Sequence, residues 1–289
     1  MIADISSLLA KGEWKGNGEF CIRCPFCGDS PSHSHLYINI ENNWFHCFYC
    51  GKGGPASCLG IKMGDLPEFT YTTPVVHPFN LDEFSKVVPG TLAYSYLTMR
   101  GVTDEEILSR NMRFSLSGKY YGRVIVPIKE ANRVVCMVAR SFLPVIEPKY
   151  LFPSTGETLL TSSNSLFGYD LLVKASSVII VEGVFDALAV MRKTKLPAVA
   201  LMGKQLKEGQ KNKLHQIDVE RYYVMLDADA FSENVTVSRT LAAYLPNRVY
   251  VCELKRGDPD VASETELVEV LRRSVPFSME VEVMSRFHE

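Results

Sequence analysis

Residues 176–254 alternate short, continuously apolar runs with segments of helical pattern. The runs are SVIIVEG, AVALMG, RYYVMLDAD and RVYVCEL, and the segments between them are VFDALAVMRKT, KEGQKNKLHQI and SENVTVSRTLAAYL. Strands that are apolar throughout need cover on both faces, which parallel strands joined by helices provide. This stretch therefore predicts an α/β fold with a doubly wound parallel sheet.

Acidic residues follow three of these four predicted strands: Glu182, Asp227, Asp229, Asp258 and Asp260. Parallel strands bring their carboxyl ends to one rim, where open α/β sheets bind ligands. Crowded carboxylates repel one another unless a cation neutralises them, and oxygen ligands suit Mg²⁺ or Mn²⁺. The pattern predicts a site for such a cation. Taken singly, Asp227 and Asp229 could instead cap a helix, and GDPD could be an ordinary turn.

Asp186 lies one helical turn after Glu182. It could assist the rim acids, or it could be a solvated or capping acid at the start of the helix. Both interpretations stay open from the sequence.

Two CxxC pairs, Cys24/Cys27 and Cys47/Cys50, lie near the start of the chain. No secretory signal and no run of about 20 apolar residues precedes or follows them, which favours the cytoplasm and no membrane contact. Thiols stay reduced there, so this spacing indicates a metal rather than disulfides. Four cysteines fill a tetrahedral site, so we expect one structural zinc ion.

The other cysteines are expected to bind no metal. Cys21 also forms a CxxC with Cys24, but it would place the turn out of register. Cys58, Cys136 and Cys252 are interpreted as core thiols.

Between the pairs, Leu36, Ile38 and Ile40 alternate with polar or amphipathic residues, which predicts a strand with one buried face. The aromatic residues that follow exceed what so small a ribbon can bury: Trp44, Phe45, Phe48 and Tyr49. About two of the four could form the ribbon's own core. Trp44, Phe48 and Tyr49 are the candidates for stacking on unpaired bases, with Arg23 and Lys52 nearby; His33 and His35 are surface or template-contacting candidates rather than ligands.

The middle of the chain is basic. Residues 119–149 contain six basic and two acidic residues, a net charge of +4, although the whole chain is near neutral. Helical patterns are predicted for LDEFSKVV, TLAYSYLTMRG and TDEEILSRN, the last with a capping box from Thr103 to Glu106. Two strands around a polar turn are predicted for YYGRVIVPIKEANRVVCMVARSF.

Together these motifs resemble a known family. EGxxD at Glu182, Gly203 after the second strand, DxD at Asp227 and DPD at Asp258 resemble the toprim fold of primases, topoisomerases and some nucleases. GRVIVPI, ARS, PKYLFP and SLFGYDLL resemble the basic subdomain of the DnaG-type primases, and RCPFCGDS with FHCFYCGKGG resembles the primase zinc ribbon in its all-cysteine phage form. The resemblance covers residues 20–262 or so. It departs at DADAFSEN, which lacks the family's glycine after the DxD acids.

The resemblance implies four segments: a zinc-binding ribbon at 1–60, a linker at 61–80, the basic N-terminal subdomain of the RNA polymerase core at 81–174, and a toprim catalytic subdomain with a short C-terminal segment at 175–289. It implies a compact phage-type DNA primase that makes short RNA primers on single-stranded DNA. The chain leaves no length for the family's helicase-binding domain, so the expected partner is a separate replicative helicase or a single-strand-binding protein. The expected location is the host cytoplasm if a phage encodes the chain.

The resemblance also implies residue roles. Glu182, Asp227 and Asp229 would hold the catalytic Mg²⁺ or Mn²⁺, and Asp258 and Asp260 a further ion that carries the ribonucleoside triphosphate. Arg123, Arg140 and Lys149 would hold template or primer phosphates, whereas Lys119, Lys129 and Arg133 would only solvate the surface. Lys204 and Lys207 lie on the same rim and could be a solvated helix start.

Two other functions compete with primer synthesis. A noncatalytic repair scaffold can combine four cysteines with a toprim domain, but it lacks the basic subdomain. A toprim nuclease is the other alternative, and a topoisomerase would need a strand-gate domain for which the chain has no length.

Overall fold

A computed structural model describes residues 5–15, 19–28, 34–39, 43–61, 66, 80–154 and 156–281. The chain divides into two compact units, Met1–Thr73 and Pro74–Glu289. Most of the predicted linker, residues 61–80, lies outside the described residues, as do Ile40 and His33. Within the described ranges, no helix is both long and apolar enough to span a membrane.

The first unit is a five-stranded antiparallel sheet in sequential order, preceded by a short helix, α1 (Ile5–Leu9). Its strands are β1 (Glu13–Trp14), β2 (Glu19–Ile22), β3 (Leu36–Asn39), β4 (Trp44–Cys47) and β5 (Gly53–Pro55). On β3, Leu36 and Ile38 are fully buried, whereas Tyr37 and Asn39, which alternate with them, are half-buried. The predicted one-sided strand is confirmed over these residues.

The second unit begins with an antiparallel sheet of order β10-β9-β8-β7-β6. Its elements are β6 (Ser85–Lys86), α2 (Leu92–Met99), α3 (Asp104–Ser109), β7 (Arg113–Ser115), β8 (Arg123–Glu130), β9 (Arg133–Ser141) and β10 (Tyr150–Leu151). The predicted capping box of Thr103 and Glu106 is present at the start of α3.

The prediction of a helix for LDEFSKVV is wrong. A single 3-10 turn, Leu81–Glu83, is followed at once by β6, in which Ser85 pairs with Phe114 of β7. An eight-residue segment has too little intrinsic helical stability to resist such pairing.

A second sheet in this unit has the order β12-β11-β13-β14-β15, parallel except for β15. Its elements are β11 (Ser177–Val181), α4 (Val184–Thr194), β12 (Ala198–Ala200), α5 (Glu208–His215), β13 (Arg221–Val224), α6 (Phe231–Ala242), β14 (Val249–Val251), α7 (Glu264–Arg273) and β15 (Val275–Pro276). The predicted doubly wound sheet is confirmed. The chain order reverses between β11 and β13, so a topological switch point lies at their carboxyl ends.

Successive residues of β11 enter two different cores because strand side chains alternate between faces. Ile179 and Val181 pack with α4, α7 and the antiparallel sheet, whereas Val178 and Ile180 pack with residues of α5 and α6. All four are fully buried. Burial on both faces anchors the end of β11, and with it the residue that follows, Glu182.

Candidate metal-binding active site

Three acids meet at the switch point. Glu182 directly follows β11, and Asp227 and Asp229 follow β13. Ligand oxygens of the three carboxylates all lie within 4.8 Å of one another. The backbone N–H of Asp227 donates to Glu182 Oε1 over 3.2 Å. The structure thus brings together three of the five acids that follow the predicted strands.

The electrostatics of this cluster favour the binding of a cation. Burial, with a smaller contribution from the nearby carboxylates of Asp186 and Glu182, raises the pKa of Asp227 to about 8. Burial also raises the pKa of Glu182. Asp227 Oδ1 is buried and has no hydrogen-bond partner within the described ranges. A divalent cation would supply the missing partner and neutralise the cluster, so these residues fit Mg²⁺ or Mn²⁺.

The two acids after β14 are placed differently. Asp258 is exposed and lines the cleft in front of the cluster. Asp260 is paired through Oδ2 with Arg100, and its backbone carbonyl accepts from Lys193 Nζ over 2.8 Å. Neither belongs to the group formed by the other three acids. Their role in holding a further ion stays a prediction.

Asp186 caps the helix that follows Glu182. It is 8% exposed and accepts from the backbone N–H of Gly183 over 3.0 Å and of Asp260 over 3.3 Å. Burial raises its pKa to about 7, and the carboxylates of Asp260 and Asp258 add to the shift. A Cβ at Gly183 would lie 2.6 Å from Asp186 Oδ2, so the glycine permits this contact.

A cleft of about 250 Å³ joins these acids to the antiparallel sheet. Its lining also contains Arg100, Arg140, Lys149 and Tyr150. The Arg140 guanidinium lies over the Tyr150 ring, 4.4 Å from its centre, and Nε donates to the Tyr96 hydroxyl over 3.0 Å. A cleft lined by both carboxylates and cationic side chains is suited to a metal-bound phosphate.

The three predicted phosphate-binding residues differ in exposure. Lys149 is exposed at the cleft, and Arg140 lines it although it is only 6% exposed. Arg123 is 2% exposed, and its guanidinium donates to the Lys149 backbone carbonyl over 3.3 Å. Arg123 therefore fixes the segment that carries Lys149, and its contact with nucleic acid stays a prediction.

Sequence reasoning did not single out Arg100, Tyr96 or Tyr150. Arg100 and Tyr96 come from the segment of α2, and Tyr150 begins β10. The Arg100 guanidinium lies 4.8 Å from the centre of the Phe185 ring, so it is held by a cation–π contact as well as by Asp260. The predicted helical segment TLAYSYLTMRG contains Arg100, but nothing in the local sequence indicates which residues its side chain contacts.

Two of the lysines expected to be merely solvated have ordinary surface contacts. Lys119 pairs with Glu157, and Lys129 donates to the Ser109 carbonyl. Neither lines the cleft.

In the first unit, the four predicted zinc ligands converge. Cys24 Sγ lies 3.8 Å from Cys50 Sγ, and Cys27 Sγ lies 4.0 Å from Cys47 Sγ. Four sulfurs placed about 2.3 Å from a central zinc ion would be about 3.8 Å apart. The geometry of the donor set fits a four-cysteine zinc site.

Each cysteine pair is followed by a glycine in the left-handed region. Gly28 has a φ of 72° and Gly51 a φ of 73°. Their backbone N–H groups donate to the carbonyls of Cys24 and Cys47, both over 2.9 Å. The two CxxCG segments therefore form equivalent turns that direct the thiols of each pair toward those of the other.

The remaining cysteines lie outside this group. Cys21 is buried on β2 and its thiol donates to the Ser34 carbonyl over 3.4 Å. Cys136 and Cys252 are buried, as expected. The expectation for Cys58 is wrong: it is exposed, because the 3-10 turn Ala56–Leu59 directs Ala56 and Leu59 into the core instead.

The aromatic residues of the ribbon separate into two groups. Phe45 is 3% exposed and belongs to the ribbon core. Trp44, Phe48 and Tyr49 are 50%, 69% and 62% exposed. Large exposed aromatic faces are uncommon on so small a module and are typical of surfaces that bind a partner.

Comparisons with known proteins agree with this architecture. The Toprim-like family matches residues 179–260, which contain the three clustered acids. The crystal structure of the zinc-binding and RNA polymerase domains of the Aquifex aeolicus primase matches with a TM-score of 0.62 and 20% identity, over 95% of this chain and 84% of that one. The chain has the DnaG-type primase fold.

Two further similarities concern proteins of this type. A DnaG primase catalytic domain bound to single-stranded DNA matches with a TM-score of 0.61 and 17% identity, over 71% of this chain and 78% of that one. The DNA primase of Lactococcus lactis is 22% identical over 83% of this chain. The chain spans about half the length of that relative, 48%.

Proposed function

We propose that the chain is a DNA primase, which joins ribonucleotides into short RNA primers on single-stranded DNA. One observation carries the proposal: a single cleft is lined by the acids Glu182 and Asp227 and by the cationic residues Arg140 and Lys149. The Toprim-like match over this cleft and the fold shared with DnaG-type primases support it.

Primer synthesis is phosphoryl transfer from a nucleoside triphosphate to a 3′-hydroxyl, and positioning and charge neutralisation provide most of the catalysis. Divalent ions bound in the cleft would activate the hydroxyl and stabilise the leaving pyrophosphate. Glu182, Asp227 and Asp229 would hold them. Glu182 is suited to this because β11 is buried on both faces and the Asp227 N–H fixes the carboxylate.

The cationic residues of the cleft would bind the nucleic acid. Arg140 is restrained by Tyr96 and Tyr150, so its guanidinium is already ordered before a phosphate arrives. Lys149 is exposed and can reach a phosphate, and the contact from Arg123 fixes its backbone. Restrained cations lose little conformational entropy on binding, which favours recognition of a phosphate backbone.

The zinc ribbon would contact the template. Trp44, Phe48 and Tyr49 offer stacking faces for unpaired bases, and the zinc ion would hold the ribbon folded. Contacts made chiefly to phosphates weaken with salt, so we expect weak binding to free DNA and recruitment by a separate replicative helicase or a single-strand-binding protein.

The test is a primer-synthesis assay. The full chain is incubated with single-stranded templates of varied sequence, labelled ribonucleoside triphosphates and Mg²⁺ or Mn²⁺. Short RNA whose sequence follows the template supports a primase. Binding of DNA without any product would indicate a noncatalytic scaffold, and cleavage of the template would indicate a nuclease; either result overturns the proposal.

A further inference from the structure

Lys204 lies beside the acid cluster on the loop that follows β12. The loop is attached to the end of β11, because Leu201 N–H donates to the Val181 carbonyl over 3.0 Å and Gly203 N–H donates to the Glu182 carbonyl over 3.2 Å. Gly203 has a φ of 152°, which a residue with a side chain rarely adopts. This turn brings Lys204 to the rim formed by the acids.

The ammonium of Lys204 is paired with one of the three clustered acids. Lys204 Nζ lies 3.1 Å from Asp229 Oδ1. Asp229 is the most exposed of the three, and both side chains remain accessible, with exposed fractions of 40% for Lys204 and 78% for Asp229. An exposed pair of this kind is weak and can be exchanged readily.

A second cavity, of about 440 Å³, is also lined by residues of this loop. Met202 and Gly203 line both this cavity and the cleft of the acids, so the two spaces adjoin. The second cavity is lined by two ammonium groups, Lys204 and Lys207, and by the hydroxyl residues Ser162 and Ser163, with Glu233 as its acid. Ammonium and hydroxyl donors in one cavity beside a metal site suit a polyphosphate.

We propose that Lys204 binds the triphosphate of the incoming nucleotide. In this proposal Asp229 pairs with the Lys204 ammonium until a divalent cation binds the Asp229 carboxylate. This inference rests on the proposed function and adds a nucleotide-binding residue outside the basic subdomain. Binding of the cation to Asp229 removes the partner of Lys204, and the freed ammonium then faces the adjoining cavity. The metal and the lysine thus compete for Asp229 but cooperate on the triphosphate.

This double role predicts two opposite effects of Lys204→Gln in the full chain. Without nucleotide, Mn²⁺ binds more tightly, by about threefold or more, because a competing cation is gone. With saturating Ca²⁺ present, ATP binds about tenfold more weakly, because a charged hydrogen bond to phosphate is lost. The affinity for AMP should change less than about twofold, because AMP lacks the outer phosphates that Lys204 would contact.

Both affinities are measured by titration calorimetry, and inorganic pyrophosphate serves as a base-free probe that should lose affinity as ATP does. Lys204→Arg should retain most of the ATP affinity. Lys211→Gln is the matched control, since Lys211 lies on α5, pairs with Glu208 over 2.7 Å and lines neither cavity. Removing that charge should leave both affinities unchanged.

A merely structural salt bridge predicts a different result. If Lys204→Gln weakens the binding of both Mn²⁺ and ATP, or changes neither affinity, the proposal is wrong. If the native chain binds ATP and makes primers while Lys204→Gln binds ATP equally well, only this inference fails. If the native chain binds no ATP at all with Ca²⁺ present, the proposed function fails with it.

Discussion

The backbone N–H of Asp227 donates to the carboxylate of Glu182, with 3.2 Å between N and Oε1. The contact joins the ends of two adjacent parallel strands, because Ile180 of β11 is in register with Val224 of β13. Both acids therefore reach the rim at the same level. This geometry depends on the order and register of the two strands, not on the separation of the two acids in sequence.

The pH dependence of folding stability tests the protonation state of Asp227. Its pKa rises from an ordinary 3.8 to about 8 in the folded chain. Between these values the folded state keeps a proton that the unfolded state has released, so the stability of the magnesium-free protein should fall as pH rises from about 4 to about 8. Asp186, with a pKa of about 7, adds to the same trend.

Thermal denaturation in magnesium-free buffer at pH 5.5, 7 and 8.5 measures this trend. Asp227→Asn mimics the protonated carboxyl, so the variant should lose less stability than the native chain over this range. Added Mg²⁺ should raise the melting temperature of the native chain most at the highest pH. Identical pH trends for the two proteins would contradict the assignment.

Zinc removal should unfold the ribbon and spare the rest of the chain. Cys47→Ser should lose the bound zinc, measured by atomic absorption, because ligand thiolates supply much of the folding free energy of so small a module. Template-dependent initiation should be abolished, whereas extension of a preformed primer should partly survive. Cys58→Ser is the control, since Cys58 is exposed and outside the cluster; full zinc content in Cys47→Ser would refute the site.

The exposed aromatic residues of the ribbon should bind single-stranded DNA. Trp44→Ala and Phe48→Ala should each weaken binding by about 1–3 kcal/mol if each stacks on one base. Tyr244→Ala is a matched control, because Tyr244 is 49% exposed and lies outside the ribbon. Fluorescence anisotropy with a labelled oligonucleotide measures the affinity, and equal affinities for all three variants and the native chain would exclude the stacking surface.

The sequence was sufficient to predict the acids and the cysteines, and the reasons are local. Glu182 and Asp227 directly follow apolar strands, so the strand pattern alone places them on one rim, and the CxxC spacing groups the thiols. Arg123 could not be placed, because nothing in GRV indicates that its guanidinium turns inward to the Lys149 carbonyl. Arg100 pairs with Asp260, 160 positions away in the chain, and no local sequence pattern predicts such a contact.

The segment LDEFSKVV shows a different limit. Its spacing of apolar residues is helical, but β7 offers a strand edge with which Ser85 and Lys86 pair. Tertiary pairing outweighs the propensity of a segment this short. Such competition depends on the neighbouring strand, which the segment's own sequence does not contain.

The central claim is that the acids in the cleft catalyse templated RNA synthesis. Asp227→Asn and Glu182→Gln remove charge while keeping shape, so primer synthesis at saturating Mg²⁺ should fall by orders of magnitude. Folding and affinity for single-stranded DNA should stay close to those of the native chain. The decisive measurement is the rate of template-dependent ribonucleotide incorporation by the native chain and by Asp227→Asn. Robust incorporation by the native chain and almost none by the variant is the predicted result, and near-native incorporation by Asp227→Asn would contradict the account.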